Sequence, residues 1–313
     1  MPHERFHPHP ASIIAVTGST GLIGSALVDH LRERGHTVRR IVRSRPRTDD
    51  IVWDPMRGEL DPRDLSGVDG VVHLAGEPVG HRWTKRRRRA IRDSRVQGTA
   101  LLARTISELP LKPRVFLSGS AVGYYGNRDD ELLDETTPPG ADFLARVSVD
   151  WERAAEAAAQ AGVRTVLMRT GIVMSANGGA LARLLPIFKL GLGGRLGDGH
   201  KWMSWIALRD HVRAMEHALF SDALRGAANF VAPNPVHNAE FATTLGRVLA
   251  RPALIPVPAL VLELLYGEMA RDTLLAGQRA IPRALALSGF EFSYPTLESA
   301  LRSIVSGDVG TVV

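Results

Sequence analysis

Ser12-Ile-Ile-Ala-Val-Thr-Gly-Ser-Thr-Gly-Leu-Ile-Gly24 decides the fold. A short apolar run enters three glycines spaced three apart, Gly18, Gly21 and Gly24. An amphipathic run from Leu22 to about Arg34 follows, stopped by Gly35. This reads as strand, tight turn, helix. Gly18 lets the chain leave the strand sharply, Gly21 lets a phosphate reach the backbone, and Gly24 lets the helix pack close to the strand. The turn of Gly18, Ser19, Thr20, Gly21, Leu22, Ile23 and Gly24 then aims amide groups at an anion, helped by the helix dipole. The spacing is G-x-x-G-x-x-G, a variant of G-x-G-x-x-G. A purely structural βα turn can carry such glycines, but the strand that follows the helix favours dinucleotide binding.

That second strand covers His36 to Val42, with Arg43 at its end. Sites that prefer NAD place an Asp or Glu here for the ribose 2′-hydroxyl. This chain has Arg43, with Arg45 and Arg47 behind it and no acid until Asp49. A carboxylate repels a 2′-phosphate, whereas a guanidinium grips it bidentately. The expected cofactor is therefore NADP(H), with Arg43 on its phosphate. Arg45 and Arg47 fit a solvated loop.

With 313 residues the chain can bury a full core as one large domain or two joined ones. The absence of cysteine excludes disulfides and thiolate-bound metals and fits a reducing cytoplasm. Residues 1–10 read as a disordered tail. The run from Ile13 is too short for a signal peptide. The apolar stretch Ala253–Tyr266 is broken by Pro256, Pro258 and Glu263, so it reads as a packing helix, not a membrane span. The net charge of +6 raises the question of nucleic acid, as does the run Lys85–Arg89 with Arg92 and Arg95. No aromatic residues interleave for base stacking. The chain has only four lysines, so an arginine bias explains much of the run, and nucleic acid is not an expected partner. No His/Asp/Glu cluster has metal-ligand spacing, and Gly-x-Ser-x-Gly is missing, which sets aside metal and serine hydrolases.

Apolar runs alternate with helical patterns through the first half. Strands are expected at Gly70–Gly76, Arg114–Ser118 and Arg164–Arg169, with a helix from about Phe143 to Ala161 capped by Gly162. The class is α/β, a doubly wound parallel sheet with a smaller mixed lobe after it. Ligands bind beyond the carboxyl ends of such strands. This gathers Gly18–Gly24, Ala75-Gly76, Ser118–Gly126 and Thr170-Gly171 around one crevice. Residues 11–172 form the expected nucleotide domain and 173–313 the interwoven lobe, with helices near 180–190, 208–220, 238–250 and 259–278.

In this order the motifs resemble the extended short-chain dehydrogenase/reductase superfamily, the NAD(P)-dependent epimerase/dehydratase group. They are Thr17–Gly24, His73-Leu-Ala-Gly76, Arg95-Val-Gln-Gly-Thr99, Ser118–Gly126, Arg169-Thr-Gly171 and Trp205–Asp210. More narrowly, Gly191–Gly194, Trp202–Trp205, Ala232–Asn238, Gly277–Pro282 and Gly289–Pro295 resemble the branch called epimerase family proteins, which has its own C-terminal domain. The resemblance implies that Leu74, Ala75, Gly76, Ser118, Thr170 and Gly171 line the cofactor site, with Arg169 either serving the cofactor or capping its strand end. It also implies an oxidoreductase or isomerase chemistry and a possible homodimer. Most relatives have Asn at Arg95. Here that arginine either grips the cofactor or forms a surface salt bridge.

Ordinary members pair a catalytic Tyr with a Lys four residues on, which brings a phenol of pKa about 10 into the working range. The four tyrosines here, Tyr124, Tyr125, Tyr266 and Tyr294, are followed at that distance by Arg128, Asp129, Ala270 and Glu298. The pair is absent. In the two plausible registers its places fall to Phe143 and Val147 or to Leu144 and Ser148. The remaining catalytic candidates are Ser120, which matches the family's active-site Ser, and Tyr124 and Tyr125 on the loop beyond it. His200, Lys201 and Trp202 are placed in a loop suited to cover a substrate, and Asp210 matches a structural acid. Two readings follow: an NADP(H)-dependent enzyme acting on a small carbonyl or hydroxyl compound, or a non-catalytic NADP(H)-binding sensor or regulator.

Overall fold

The structure, a computed structural model, describes residues 10–307. Most of the expected tail, residues 1–9, lies outside the described residues, as do residues 308–313. The strands are β1 (Ile13–Thr17), β2 (Thr37–Val42), β3 (Ile51–Asp54), β4 (Glu59–Leu60), β5 (Gly70–His73), β6 (Val115–Ala121), β7 (Leu132–Leu133), β8 (Arg164–Thr170), β9 (Ile172–Met174), β10 (Trp202–Met203), β11 (Trp205–Ala207), β12 (Gly226–Phe230), β13 (Val236–His237) and β14 (Arg279–Ala280). The helices are α1 (Leu22–Glu33), α2 (Lys85–Glu108), α3 (Phe143–Ala154), α4 (Glu156–Gln160), α5 (Gly179–Lys189), α6 (Leu208–Phe220), α7 (Asn238–Val248), α8 (Ala259–Tyr266), α9 (Arg283–Leu287) and α10 (Leu297–Ser306).

Eight strands make one sheet in the order β12-β8-β6-β5-β1-β2-β3-β4. Every pairing in it is parallel except the β3–β4 edge hairpin. The strand β1 pairs with β2 on one side and β5 on the other, and both of its faces are covered, which is why its sequence is unbroken apolar. Side chains alternate between the faces. Ile14, Val16, Val72 and Leu117 meet Leu27 and Leu31 of α1 and Val212 and Met215 of α6. Ala15, Val71 and Phe116 meet Leu102 and Ile106 of α2. Each such buried side chain contributes about 1.5–3 kcal/mol. The chain order reverses between β1 and β5, and that reversal opens a crevice at their carboxyl ends.

Around residue 172 the chain passes between the main sheet and the smaller lobe. After β8 the chain leaves for β9, α5 and β11, then returns through α6 and adds β12 to the main sheet beside β8. The smaller lobe has its own core, built from Leu181 and Phe188 of α5, Phe241 and Leu245 of α7, Leu297 and Leu301 of α10, and Trp205. It reaches back through the β14–β7 pairing and through Gly277, whose N–H donates to Asn127 Oδ1 at 2.9 Å. Two expected helices differ. The helix over 143–161 breaks at Ala155 into α3 and α4. The helix over 259–278 ends at Tyr266, because Gly267 turns left-handed at φ +60°, and a π-helical turn covers Ala270–Leu274.

A Cβ on Gly24 would sit 2.2 Å from the Gly18 carbonyl oxygen, whereas one on Gly21 would meet that oxygen at 3.3 Å and nothing else. Gly24→Ala is therefore expected to cost about 1–3 kcal/mol and to lower the calorimetric melting temperature, with Gly21→Ala close to wild type. Equal melting of the Gly24 variant and the parent would contradict this packing.

Candidate dinucleotide and substrate site

The crevice is held by its first strand's last residue. Thr17 Oγ1 accepts from the Leu74 and Ala75 N–H groups at 3.0 and 3.2 Å and lies 2.7 Å from His73 Nδ1. With its lone pairs taken, the hydroxyl gives its proton to Nδ1, so the His73 proton resides on Nε2. Burial, with the positive charge of Arg95, pushes the His73 pKa down to about 3, and the ring stays neutral. Next to this clamp Gly18 adopts φ +65°, and a Cβ there would lie 2.8 Å from the Leu74 carbonyl carbon. The two loops touch backbone to backbone.

The outer side of the turn is free. Gly21 caps α1 without a side-chain bond, leaving first-turn N–H groups for a ligand. Ser19 is buried, and its Oγ has no hydrogen-bond partner among the described residues. Arg43 is exposed just past the end of β2 and makes no ion pair among the described residues. An anion-binding turn, an orphaned buried hydroxyl and a free cation beyond the second strand fit a phosphorylated dinucleotide.

Beyond the turn lies a cavity of about 300 Å³. Its floor is Ala121–Gly123 after β6 and Thr170–Ile172 after β8. Its walls are Leu144, Val147, Ser148 and Trp151 of α3 and Arg95 of α2, and its roof is α5, the 194–204 stretch and the turn at 272–274. Leu144, Val147 and Ser148 face it, whereas Phe143 packs with Trp83, so of the two registers only Leu144 and Ser148 both line the cavity. The Ser148 hydroxyl makes no hydrogen bond among the described residues. Arg95 does not form a surface salt bridge. Its Nη1 donates to the Glu77 and Ile91 carbonyls at 3.0 Å, and its guanidinium sits 5.0 Å from the Trp151 ring. Burial lowers its pKa to about 10 against the opposing charge of Glu77, so it remains a cation, with no ion pair among the described residues. Lys201 and Trp202 also line the cavity and are anchored on Asp129 and Asp130 at 3.0 and 2.7 Å, while His200 is exposed.

Five expected site residues turn inward instead. Ser118 is sealed within β6, where its hydroxyl reaches only the Gly119 carbonyl at 3.4 Å, so it does not line the cofactor site. Arg169 is not a cofactor ligand: its Nε and Nη2 bind the two Glu152 oxygens at 2.8 and 2.9 Å, and its Nη1 reaches Tyr125 Oη at 3.1 Å. Burial alone would lower the Arg169 pKa, but Glu152 and Tyr125 outweigh it and raise it. Ser120 donates to Glu152 Oε1 at 2.6 Å, which commits its proton away from any substrate. Tyr125 is fully buried and donates to Asn229 Oδ1 at 2.7 Å, and burial pushes its pKa up to about 12, far from a working acid. Tyr124 lies flat against Arg169, its ring centre 3.5 Å from the guanidinium carbon, and does not line the cavity. Asp210 is structural as expected, accepting from the Ser293 and Tyr294 N–H groups. In the basic run, Arg88 pairs with Glu268 at 2.8 Å and Arg92 with Asp150 at 2.9 Å. The sequence reading passed over Glu152, although it stands four residues after Ser148 on the same helical face.

Residues 14–229 match the model of the NAD dependent epimerase/dehydratase family, and residues 257–304 match a domain of unknown function, DUF1731. The chain belongs to the NAD dependent epimerase/dehydratase family. An epimerase family protein of Mycobacterium bovis is 44% identical over 292 residues, 93% of this chain and 96% of its own. The human epimerase family protein SDR39U1, solved with NADPH, has a TM-score of 0.86 at 35% identity, covering 94% of this chain and 99% of that one. A nucleoside-diphosphate sugar epimerase from Corynebacterium glutamicum has a TM-score of 0.77 at 37% identity, covering 93% of this chain and 57% of that one. Among the described residues no group of three or more His, Cys, Asp or Glu is placed to hold a metal, and no helix is long and apolar enough to cross a membrane.

The buried ionisable groups set the stability of this site. Glu152→Ala strands Arg169, which is 4% exposed, and is expected to cost about 3–5 kcal/mol in denaturant unfolding; a loss below 1 kcal/mol would contradict the network. His73 and His211 are held neutral by burial, with pKa values of about 3 and about 4. Below the unfolded value of about 6.5 the unfolded chain binds protons that the folded chain refuses. Stability present above pH 6.5 is therefore lost on acidification, by about 1.4 kcal/mol per pH unit for each histidine. Carboxylates with lowered pKa, such as Asp134 at about 2, act only below this window. Unfolding at pH 7 and pH 5 measures the loss, and equal stability at both would refute it.

Proposed function

We propose that this protein binds NADPH along the glycine turn and reduces or oxidises a small carbonyl or hydroxyl compound in the adjoining cavity. The observation that carries this is the cavity itself. It begins at the carboxyl ends of β6 and β8, shares Arg95 with the cofactor loop at Gly76, and is roofed by the C-terminal lobe. A human relative of similar length solved with NADPH supports the cofactor.

When bound, NADPH supplies hydride transfer to or from the carbon bearing the oxygen. The chain does the rest. N–H groups at the start of α1 and the Ser19 hydroxyl hold the pyrophosphate, and Arg43 grips the 2′-phosphate. Leu144, Leu181, Phe188 and Phe241 exclude water and favour a compact, largely apolar substrate. Of the two cavity cations, Lys201 is already paired with Asp129, which leaves little to hold a nucleoside diphosphate. The second reading, an NADPH-binding sensor without turnover, is favoured by Leu144 and Ser148, which cannot replace a Tyr and a Lys. Oxidation of NADPH in the presence of compact ketones separates the two readings.

Arg43→Ala is expected to weaken NADPH binding about tenfold, a charge-assisted contact worth about 1.5 kcal/mol at an exposed site, and to leave NADH binding within about twofold. Parallel fluorescence titrations measure both. Equal loss for both cofactors would remove Arg43 from the 2′-phosphate.

A further inference from the structure

The cavity lacks the family's Tyr and Lys, but it contains a carboxyl group. Asp272 is the one acid among the described residues that line it. It stands in the π-helical turn Ala270–Leu274, which the C-terminal lobe lays against α3: Leu274 packs against the cluster that holds Phe143 and Val147 of that helix. Asp272 makes no hydrogen bond or ion pair among the described residues. Every other carboxylate near it is engaged. Asp142 at the start of α3 accepts from the Ala145 N–H at 2.8 Å, and Glu268 is bound to Arg88 of α2 at 2.8 Å.

We propose that Asp272 exchanges the proton with the substrate oxygen in this cavity, a role that rests on the function proposed above. In the reducing direction the Asp272 O–H bond breaks as an O–H bond forms on the substrate oxygen, and the carboxylate left behind takes a proton from water. The reductant is the nicotinamide cofactor. In the oxidising direction the carboxylate removes that proton. The buried Ser148 hydroxyl, on the facing helix, is free to hydrogen-bond the same oxygen. The surroundings suit a carboxyl that must hold a proton. Burial first, then the negative charges of Asp142 and Glu268, push the Asp272 pKa up, and Arg271 and Arg88 oppose them. A carboxyl so placed works nearer neutral pH than an exposed one. This acid comes from the matched domain of unknown function, residues 257–304, and gives that domain a chemical task.

The test uses the full chain labelled with 13C at the aspartate carboxyls, with Asp272→Asn identifying the resonance. Asp272 forms no bonds that Asn would break, so the variant is expected to fold and to bind NADPH like the parent. The Asp272 signal is expected to titrate above the exposed aspartates and to shift when cyclohexanone fills the cavity. In NADPH turnover of compact ketones, Asp272→Asn is expected to be slower by about 100-fold or more, with Asp272→Glu recovering part of the rate and shifting the pH profile. A signal that titrates with the exposed aspartates and ignores cyclohexanone overturns the proposal, as does an Asp272→Asn variant with wild-type turnover. A parent that binds NADPH and turns over nothing, while Asp272 still titrates high, instead overturns the function on which the proposal rests.

Discussion

The contact on which the rest depends is the closure of the β1 turn on the β5 loop. Thr17 spends its whole hydrogen-bonding capacity on Leu74, Ala75 and His73, and Gly18 lies so close to Leu74 that no side chain fits. Two backbone segments far apart in sequence are thereby locked at the reversal point of the sheet. The free N–H groups of α1 and the entrance of the cavity are placed together by that lock. His73 completes it as a neutral acceptor at Nδ1, which is why its burial without charge matters.

A second buried assembly takes up the positions that the sequence offers as catalytic candidates. Glu152, Arg169, Ser120 and Tyr125 satisfy one another, and Asn229 and Glu135 extend the network to β12 and α9. A charge pair at this depth is costly unless every partner is present. These residues therefore join the main sheet to the C-terminal lobe. The lobe supplies the roof of the cavity and Asp272, so the cavity exists only when both halves are folded together.

Much of the nucleotide half was legible in the sequence. The glycine turn, Arg43 and the alternation of strands and helices are local signals, each set by backbone conformation or by which face of an element is apolar. The inward turn of Arg169 and Tyr125 was not legible, because it depends on Glu152, whose place is fixed by how α3 lies on the sheet. Asp272 gave no signal at all: it reaches the cavity only after the chain has returned to β12 and crossed over α3. Gly267 was visible as a residue but not as a stop, since a glycine in an apolar helical pattern becomes a terminus only when its φ turns positive.

Hydrogen–deuterium exchange of the protein with and without NADPH tests the central claim most directly. Binding at the locked turn predicts slowed exchange at residues 19–24 and 74–76, with little change at the basic start of α2. Protection confined to α2, or none at the turn, would contradict the account.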